Sequence, residues 1–276
     1  MNEGEYGVHP PGPRMPAATR LGAVTLQVGD LERSRAFYRR VLAAEELDSS
    51  PGRVALGARG GSEPLLVPHE RPGAAPVPRN GRLGLFHYAI LLPDRPSLGA
   101  FLRHLVALGE PFAASDHLVS EAVYLYDPDG LGIEVYADRP RRSWGHRNRQ
   151  LLMATDPMDV EGVMASAAGE EWRGLPPGTV MGHVHLHVGD LETAEAFYHV
   201  ELGLDKMVWS YPGALFLAAG GYHHHLGLNT WARGAPAPAE DEAQLLEWEL
   251  VAPGLQREGV IADPWGTRLR LRAEAP

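Results

Sequence analysis

Thirteen histidines mark a chain of 276 residues that has no cysteine and one lysine, Lys206. Disulfides, thiolate nucleophiles and cysteine metal ligands are therefore excluded, and Schiff-base or P-loop chemistry has almost nothing to work with. Imidazole is left as the main metal ligand and proton carrier. His183, His185 and His187 alternate along one apolar run, so a strand would put all three on one face. His223, His224 and His225 are consecutive within Tyr222–Leu228, which also reads as a strand. Three neighbours on a strand cannot share a face, and a merely hydrogen-bonded or metal-sticky run is the plain alternative. His117 precedes the apolar run Val119–Tyr126, where an isolated loop histidine is more often structural than catalytic.

The elements that position these residues are set by an internal repeat. Val28-Gly29-Asp30-Leu31-Glu32 recurs as Val188-Gly189-Asp190-Leu191-Glu192, and Ala36-Phe37-Tyr38 as Ala196-Phe197-Tyr198. Each copy predicts a strand (22–28 and 182–188) feeding a helix, with Asp30 and Asp190 as N-caps and Glu32 and Glu192 at its positive end. Phe, Tyr and Leu at helical spacing form the buried stripe. A second round follows in the first half. A β-rich run at 85–92 ends at Asp94, a helix spans 98–108 and is closed by Gly109, and strands lie near Phe112, at 121–126 and at 132–136. The unit is strand, helix, three strands, with copies at 21–79, 84–137, 181–234 and 245–272. The last copy is too short, and its helix and one strand are missing. Segment 138–180 is a connection with helical patches near 158–168.

The repeat also supplies an internal control. His183 corresponds to Ala23, His185 to Thr25 and His187 to Gln27, so the scaffold does not require histidine there. His183 lies seven residues before Asp190, as His87 lies seven before Asp94. Glu134, between Ile133 and Val135, corresponds to Arg270 in the last unit, so the strand does not require an acid. If units two and three pair, His87, Glu134 and His183 converge. Two histidines and one carboxylate with open positions suit non-haem Fe(II). Three unrelated surface or core residues are the alternative.

The net charge of −10 argues against a nucleic-acid partner. No apolar run reaches the roughly 18 residues of a membrane span, and residues 1–20, rich in Pro and Gly, read as a flexible tail and not a secretory signal. A cytoplasmic protein is expected.

The four units resemble the vicinal oxygen chelate superfamily of glyoxalases and extradiol dioxygenases, over about Leu21 to Arg272. Asp116-His117-Leu118-Val119-Ser120, followed by Tyr124 to Gly130 and Ile133-Glu134, is similar to the extradiol signature, and Phe86-His87-Tyr88-Ala89 fits it. Ala89–Arg95, Tyr136–Pro140 and Gly220–His225 resemble bacterial two-domain catechol 2,3-dioxygenases. The resemblance implies an α+β fold of four βαβββ modules forming two cup-shaped open barrels, the fourth truncated. It implies domains at 21–137 and 181–272, joined by the 138–180 linker. It implies His87, Glu134 and His183 as ligands of Fe(2+), with Mn(2+) or another divalent metal as alternatives. His224 matches the family's acid/base histidine, His117 its substrate-side histidine, and Tyr124 or Tyr126 its site tyrosine. The partners implied are a small aromatic diol and O2, and a homo-oligomer is expected. The chain departs from better-known extradiol enzymes, which take their ligands from the last two units. Here units two and three carry the site, which implies pairing of two with three and one with four, or pairing across a dimer. A non-redox metal enzyme with His223 or His225 as fourth ligand, on Zn, Ni or Mn, is a competing expectation. A metal-free binding protein is a third, which the converging ligands disfavour.

Overall fold

A computed structural model describes residues 6–255 and 257–274. Unit one comprises β1 (Arg20–Val28), α1 (Leu31–Val41), β2 (Glu45–Ser50), β3 (Arg53–Gly57) and β4 (Pro64–Glu70). Unit two comprises β5 (Gly84–Leu92), α2 (Arg95–Leu108), β6 (Ala113–Asp116), β7 (Ser120–Tyr126) and β8 (Gly132–Asp138). The connection carries a small hairpin, β9 (His146–Arg147) and β10 (Gln150–Leu151), and then α3 (Val160–Ser166). Unit three has β11 (Val180–His187), α4 (Leu191–Glu195) continuing as a π-helical turn (Ala196–Glu201), β12 (Asp205–Val208), β13 (Ala214–Ala218) and β14 (Leu226–Asn229). Unit four keeps only strands: β15 (Gln244–Ala252), β16 (Gly259–Ala262) and β17 (Arg268–Ala273).

Capping chemistry starts α1 and α4 where the repeat predicts, and starts α2 at Arg95, three residues ahead of the expected 98. The carboxylates of Asp30, Asp94 and Asp190 accept from the backbone N–H of Arg33, Ser97 and Thr193 at 2.9, 2.8 and 2.7 Å. Gly109, in the left-handed region at φ 65°, closes α2. Tyr38 and Tyr198, fully buried on the repeated helices, each reach the next unit. Their hydroxyls donate to Asp127 at 2.8 Å and to Asp263 at 2.9 Å. These are the first aspartates of the two Asp-Pro turns, and each also accepts two backbone N–H groups of its own turn.

The strands form two curled sheets. One has seven strands in the order β16-β17-β15-β1-β4-β3-β2, the other eight in the order β12-β13-β14-β11-β5-β8-β7-β6. Units one and four share the first sheet, and units two and three the second. The sheets therefore do not follow the division into residues 21–137 and 181–272. The first strand of each unit pairs antiparallel with the first strand of a unit in the other half, β1 with β15 and β5 with β11. A continuous apolar core runs from Leu26 and Tyr38 through Ile90 and Phe101 to Leu186 and Trp248.

Residues 6–20 are not a free tail. Val8 bridges to Lys206, Met15 is buried, and Arg14 donates to Asp205 at 2.8 Å. Asp205 is itself buried and needs that cation. Residues 1–5 of the expected tail lie outside the described residues.

Candidate metal centre

Ala89 forms the floor of the site. It lies on β5 between His183 of antiparallel β11 and Glu134 of parallel β8, and His87 precedes it by two residues on the same face. Its methyl group leaves room for three longer side chains to lean together. His87 Nε2 and His183 Nε2 lie 3.0 and 3.1 Å from the same oxygen, Glu134 Oε2. The three ligand atoms fall within 4.8 Å of one another, and all three residues are buried. Among the described residues this is the one group of three with ligand atoms so disposed.

The donor set fits a divalent cation. His87 Nε2 is buried without a hydrogen-bond partner, because its approach to the carboxylate is misaligned for one. A cation between the residues would satisfy it. Burial pushes His87 and His183 below the ordinary imidazole range, against the opposing pull of Glu134, so both hold a free lone pair. Burial alone would raise Glu134, but His183 and His87 outweigh it and hold the carboxyl well below its usual range. Two neutral imidazoles and one carboxylate together carry a single negative charge, suited to an M(II) ion.

A cavity of about 230 Å³ opens on this cluster, with His87 and Glu134 in its wall. His183 lies beneath it, with its ring centroid 4.1 Å from that of His224. His224 also lines the cavity. Burial, with the neighbouring imidazoles of His183, His223 and His185, lowers His224 well below its ordinary value.

The run from 223 to 225 is not a strand, because β14 begins only at Leu226. Gly220 and Gly221, at φ 61° and 68°, turn the chain before it. Strand parity therefore does not apply, and adjacent His223 and His224 face one another, Nδ1 to Nδ1 at 2.7 Å. His223 Nε2 is taken by Asp138 at 2.8 Å, and His225 Nδ1 accepts from the Ala219 N–H at 3.1 Å. Neither His223 nor His225 lines the cavity.

His117 sits in the β6–β7 turn and lines the cavity with Tyr124. Its Nδ1 lies 2.6 Å from the Ala154 carbonyl, which can only accept, so Nδ1 carries the proton. The bare Nε2 then accepts from the Tyr124 hydroxyl at 2.5 Å. Tyr126 shares the face of Tyr124 but stands two residues further along β7, about 7 Å on. It is exposed under the Arg79 guanidinium and is not in the cavity wall.

Aromatic rings make up much of the remaining wall. Phe86 lines the cavity, joined by Phe216, Trp231 and Tyr211. Trp144 and Trp209 do not, and Trp144 instead packs its ring 5.3 Å from that of His223. Phe216 and Trp231 gave no signal because their partners are distant in sequence. Met153, Ala154 and Thr155 of the long connection also reach the cavity, a role that composition does not reveal. His185, which the repeat control flags without assigning a role, faces the cavity with an unpartnered Nε2. Gly227, opposite it on β14, leaves the space its ring occupies, since a Cβ there would meet the ring at 2.8 Å.

Comparison with known proteins places this geometry among relatives. Residues 20–135 match the model of the Glyoxalase/Bleomycin resistance protein/Dioxygenase superfamily. Over 249 residues the chain is 43% identical to "Catechol-2,3-dioxygenase" of Bacillus subtilis (strain 168), covering 89% of this chain and 87% of that one. A crystal structure from Bacillus subtilis, described as a candidate dioxygenase, superposes with a TM-score of 0.62 at 13% identity, over 96% of this chain and 87% of that chain. Glyoxalase I from Zea mays superposes with a TM-score of 0.53 at 17% identity, over 92% of each chain. The two superpositions show a shared fold.

Proposed function

The chain belongs to the glyoxalase/bleomycin resistance protein/dioxygenase superfamily, and from that premise we propose that it is an extradiol ring-opening dioxygenase acting with Fe(II) and O2 on a catechol-type diol. The observation that carries this reading is the convergence of His87, Glu134 and His183 beside a cavity walled by aromatic rings. Ferrous iron held there would supply Lewis acidity toward both diol oxygens and the electrons that oxygen activation needs.

The chain's own groups would do the rest. His87, Glu134 and His183 hold the metal from the sheet side and leave its cavity side free. His224, neutral and at the cavity wall, takes a proton from the substrate hydroxyl and returns it later. Tyr124, whose own proton is committed to His117, presents its oxygen lone pairs to a substrate O–H. Phe86, Phe216 and Trp231 stack on the ring and exclude water. No arginine or lysine lines the cavity among the described residues, which favours a neutral diol over one bearing a carboxylate. The non-redox alternative needs a fourth protein ligand, and the imidazoles expected to supply it, His223 and His225, are engaged elsewhere.

The test is oxygen uptake by Fe(II)-loaded protein with catechol, 3-methylcatechol and a carboxylated catechol, together with absorbance of a yellow ring-opened product. Uptake and colour with the neutral diols are expected. Stoichiometric metal binding without oxygen uptake on any diol would overturn the reading in favour of an isomerase.

A further inference from the structure

Behind His224 a line of hydrogen-bonded side chains crosses the protein away from the cavity. His224 Nδ1 meets His223 Nδ1 at 2.7 Å, and His223 Nε2 meets Asp138 Oδ1 at 2.8 Å. His223 is fully buried, while the Asp138 side chain, at the end of β8, is 25% exposed. Asp138 stands four residues beyond Glu134 on the same strand, so one strand carries both the carboxylate beside the metal ligands and the carboxylate at the end of this chain.

We propose that Asp138 and His223 are positioning residues that fix the tautomer of His224, leaving its Nε2 bare toward the cavity. This rests on the assignment of His224 as the proton acceptor. An ionised carboxylate accepts only, so the atom facing it, His223 Nε2, must carry a proton. A fully buried ring favours the uncharged form, which has one proton, so with Nε2 protonated His223 Nδ1 is bare and must itself accept. The donor is His224 Nδ1–H, and with that proton committed His224 Nε2 holds a lone pair. The opposite order would set the bare Nε2 of the fully buried His223 ring against the carboxylate at 2.8 Å, two lone pairs facing each other with no proton between them.

The surroundings hold the line in place. The Tyr222 hydroxyl donates to the same Asp138 oxygen at 3.3 Å and lies 2.7 Å from the Tyr136 hydroxyl. The ring of Trp144 packs against His223 and is itself tied down, its Nε1 donating to the Arg139 carbonyl at 2.9 Å. Among the described residues, no group other than His223 hydrogen-bonds the His224 ring. The tautomer of His224 therefore depends on this one partner.

The experiment reads the tautomer directly, in metal-free protein labelled with ¹⁵N-histidine, by long-range ¹H–¹⁵N correlation. Wild type should show His224 protonated at Nδ1 and bare at Nε2. Asp138→Ala should lose that uniform state, and Asp138→Glu should restore it. In Fe(II)-loaded protein, Asp138→Ala should keep its metal and a KM within about threefold, while kcat falls about 10–100-fold, the usual cost of losing an outer hydrogen-bond partner. Asp138→Glu should recover most of that loss. A wild-type His224 protonated at Nε2 would overturn the proposal, whatever the variants do. So would an Asp138→Ala protein with unchanged tautomer and kcat. A correct tautomer without catechol turnover would instead sink the assigned activity and leave the positioning role standing.

Discussion

The two sheets carry the same register and opposite chemistry. In the eight-stranded sheet His87 faces His185 across β5 and β11, and Ala89 pairs with Glu134 across β5 and β8. In the seven-stranded sheet Glu247 faces Thr25 across β15 and β1, and Glu249 pairs with Arg270 across β15 and β17. Position for position, Glu247 stands for His87, Arg270 for Glu134, Glu249 for Ala89 and Ala23 for His183. The first set leaves a carboxylate beside two neutral imidazoles, an incomplete charge that a dication would balance. The second closes on itself, with Arg270 Nε 2.6 Å from Glu247 Oε1. Burial follows the chemistry. Glu134 is 2% exposed, whereas the Arg270 side chain is 42% exposed. The backbone thus offers one position twice, and a handful of side chains decide whether it gathers candidate metal ligands or an ion pair.

The largest expected effect breaks that comparison at its strongest point. Glu134→Ala and His183→Ala should each drop the metal bound under equal loading below about a tenth of wild type, with turnover lost alongside, because a two-ligand site holds a divalent ion poorly. Arg270→Ala in the other sheet should leave metal content unchanged. Elemental analysis of the three variants decides. A Glu134→Ala protein that keeps its metal would remove the distinction between the sheets.

A smaller effect separates two tyrosines on one face. Tyr124→Phe deletes the hydroxyl that bonds to His117 and faces the cavity, and kcat should fall about tenfold, the worth of one site hydrogen bond. Tyr126→Phe, beneath Arg79, should stay within about twofold. Steady-state kinetics that reverse this order would place the wrong tyrosine in the site.

Much of this comparison was legible in the sequence because the repeat aligns the chain with itself. Offsets to Asp30, Asp94 and Asp190 place His87 and His183 at one structural position, and the Asp-Pro turns place Glu134 against Arg270. What stayed hidden has physical causes. Tyr124 and Tyr126 share parity, and only the extent of the cavity separates them. His223–His225 read as a strand because the apolar run after them is one, while two left-handed glycines turn the chain first. Phe216, Trp231 and Ala154 reach the cavity through contacts of tertiary structure that no local pattern encodes. Residues 6–20 looked like a tail because Pro and Gly dominate them, and buried Asp205, which holds them, carries no local mark in the sequence.

The stability of the two halves should differ modestly. Tyr38 and Tyr198 make the same bond to an aspartate, but Tyr38 also accepts from the Tyr88 hydroxyl at 3.3 Å, while the seven-stranded sheet has Trp248 in the place of Tyr88. Tyr38→Phe therefore strands a second buried hydroxyl and should cost about 2–3 kcal/mol, against about 1–2 for Tyr198→Phe. Urea unfolding monitored by circular dichroism measures both. Equal losses would show that the Tyr88 contact contributes nothing.

The smallest effect concerns the ion pair that stands where the other sheet has its candidate ligands. Arg270 meets Glu247 at 2.6 Å and Glu249 at 4.0 Å, and Arg268 approaches Glu247 at 3.4 Å, so the pair is one rung of a charged ladder. The arginine ends reach solvent, at 42% exposure for Arg270 and 57% for Arg268, so water and salt screen the pair although Glu247 is 13% exposed, and a deleted partner is replaced by a neighbour of the same sign. A double-mutant cycle of Glu247→Gln and Arg270→Met should therefore give a coupling below about 1 kcal/mol that shrinks further as salt rises. Neither variant should alter metal content or kcat, because both residues lie on the other sheet. A coupling above about 2 kcal/mol would mean that the pair is a structural keystone and not a remnant. A change in metal content would be the more damaging result, since it would show that the two sheets do not act as separate electrostatic environments.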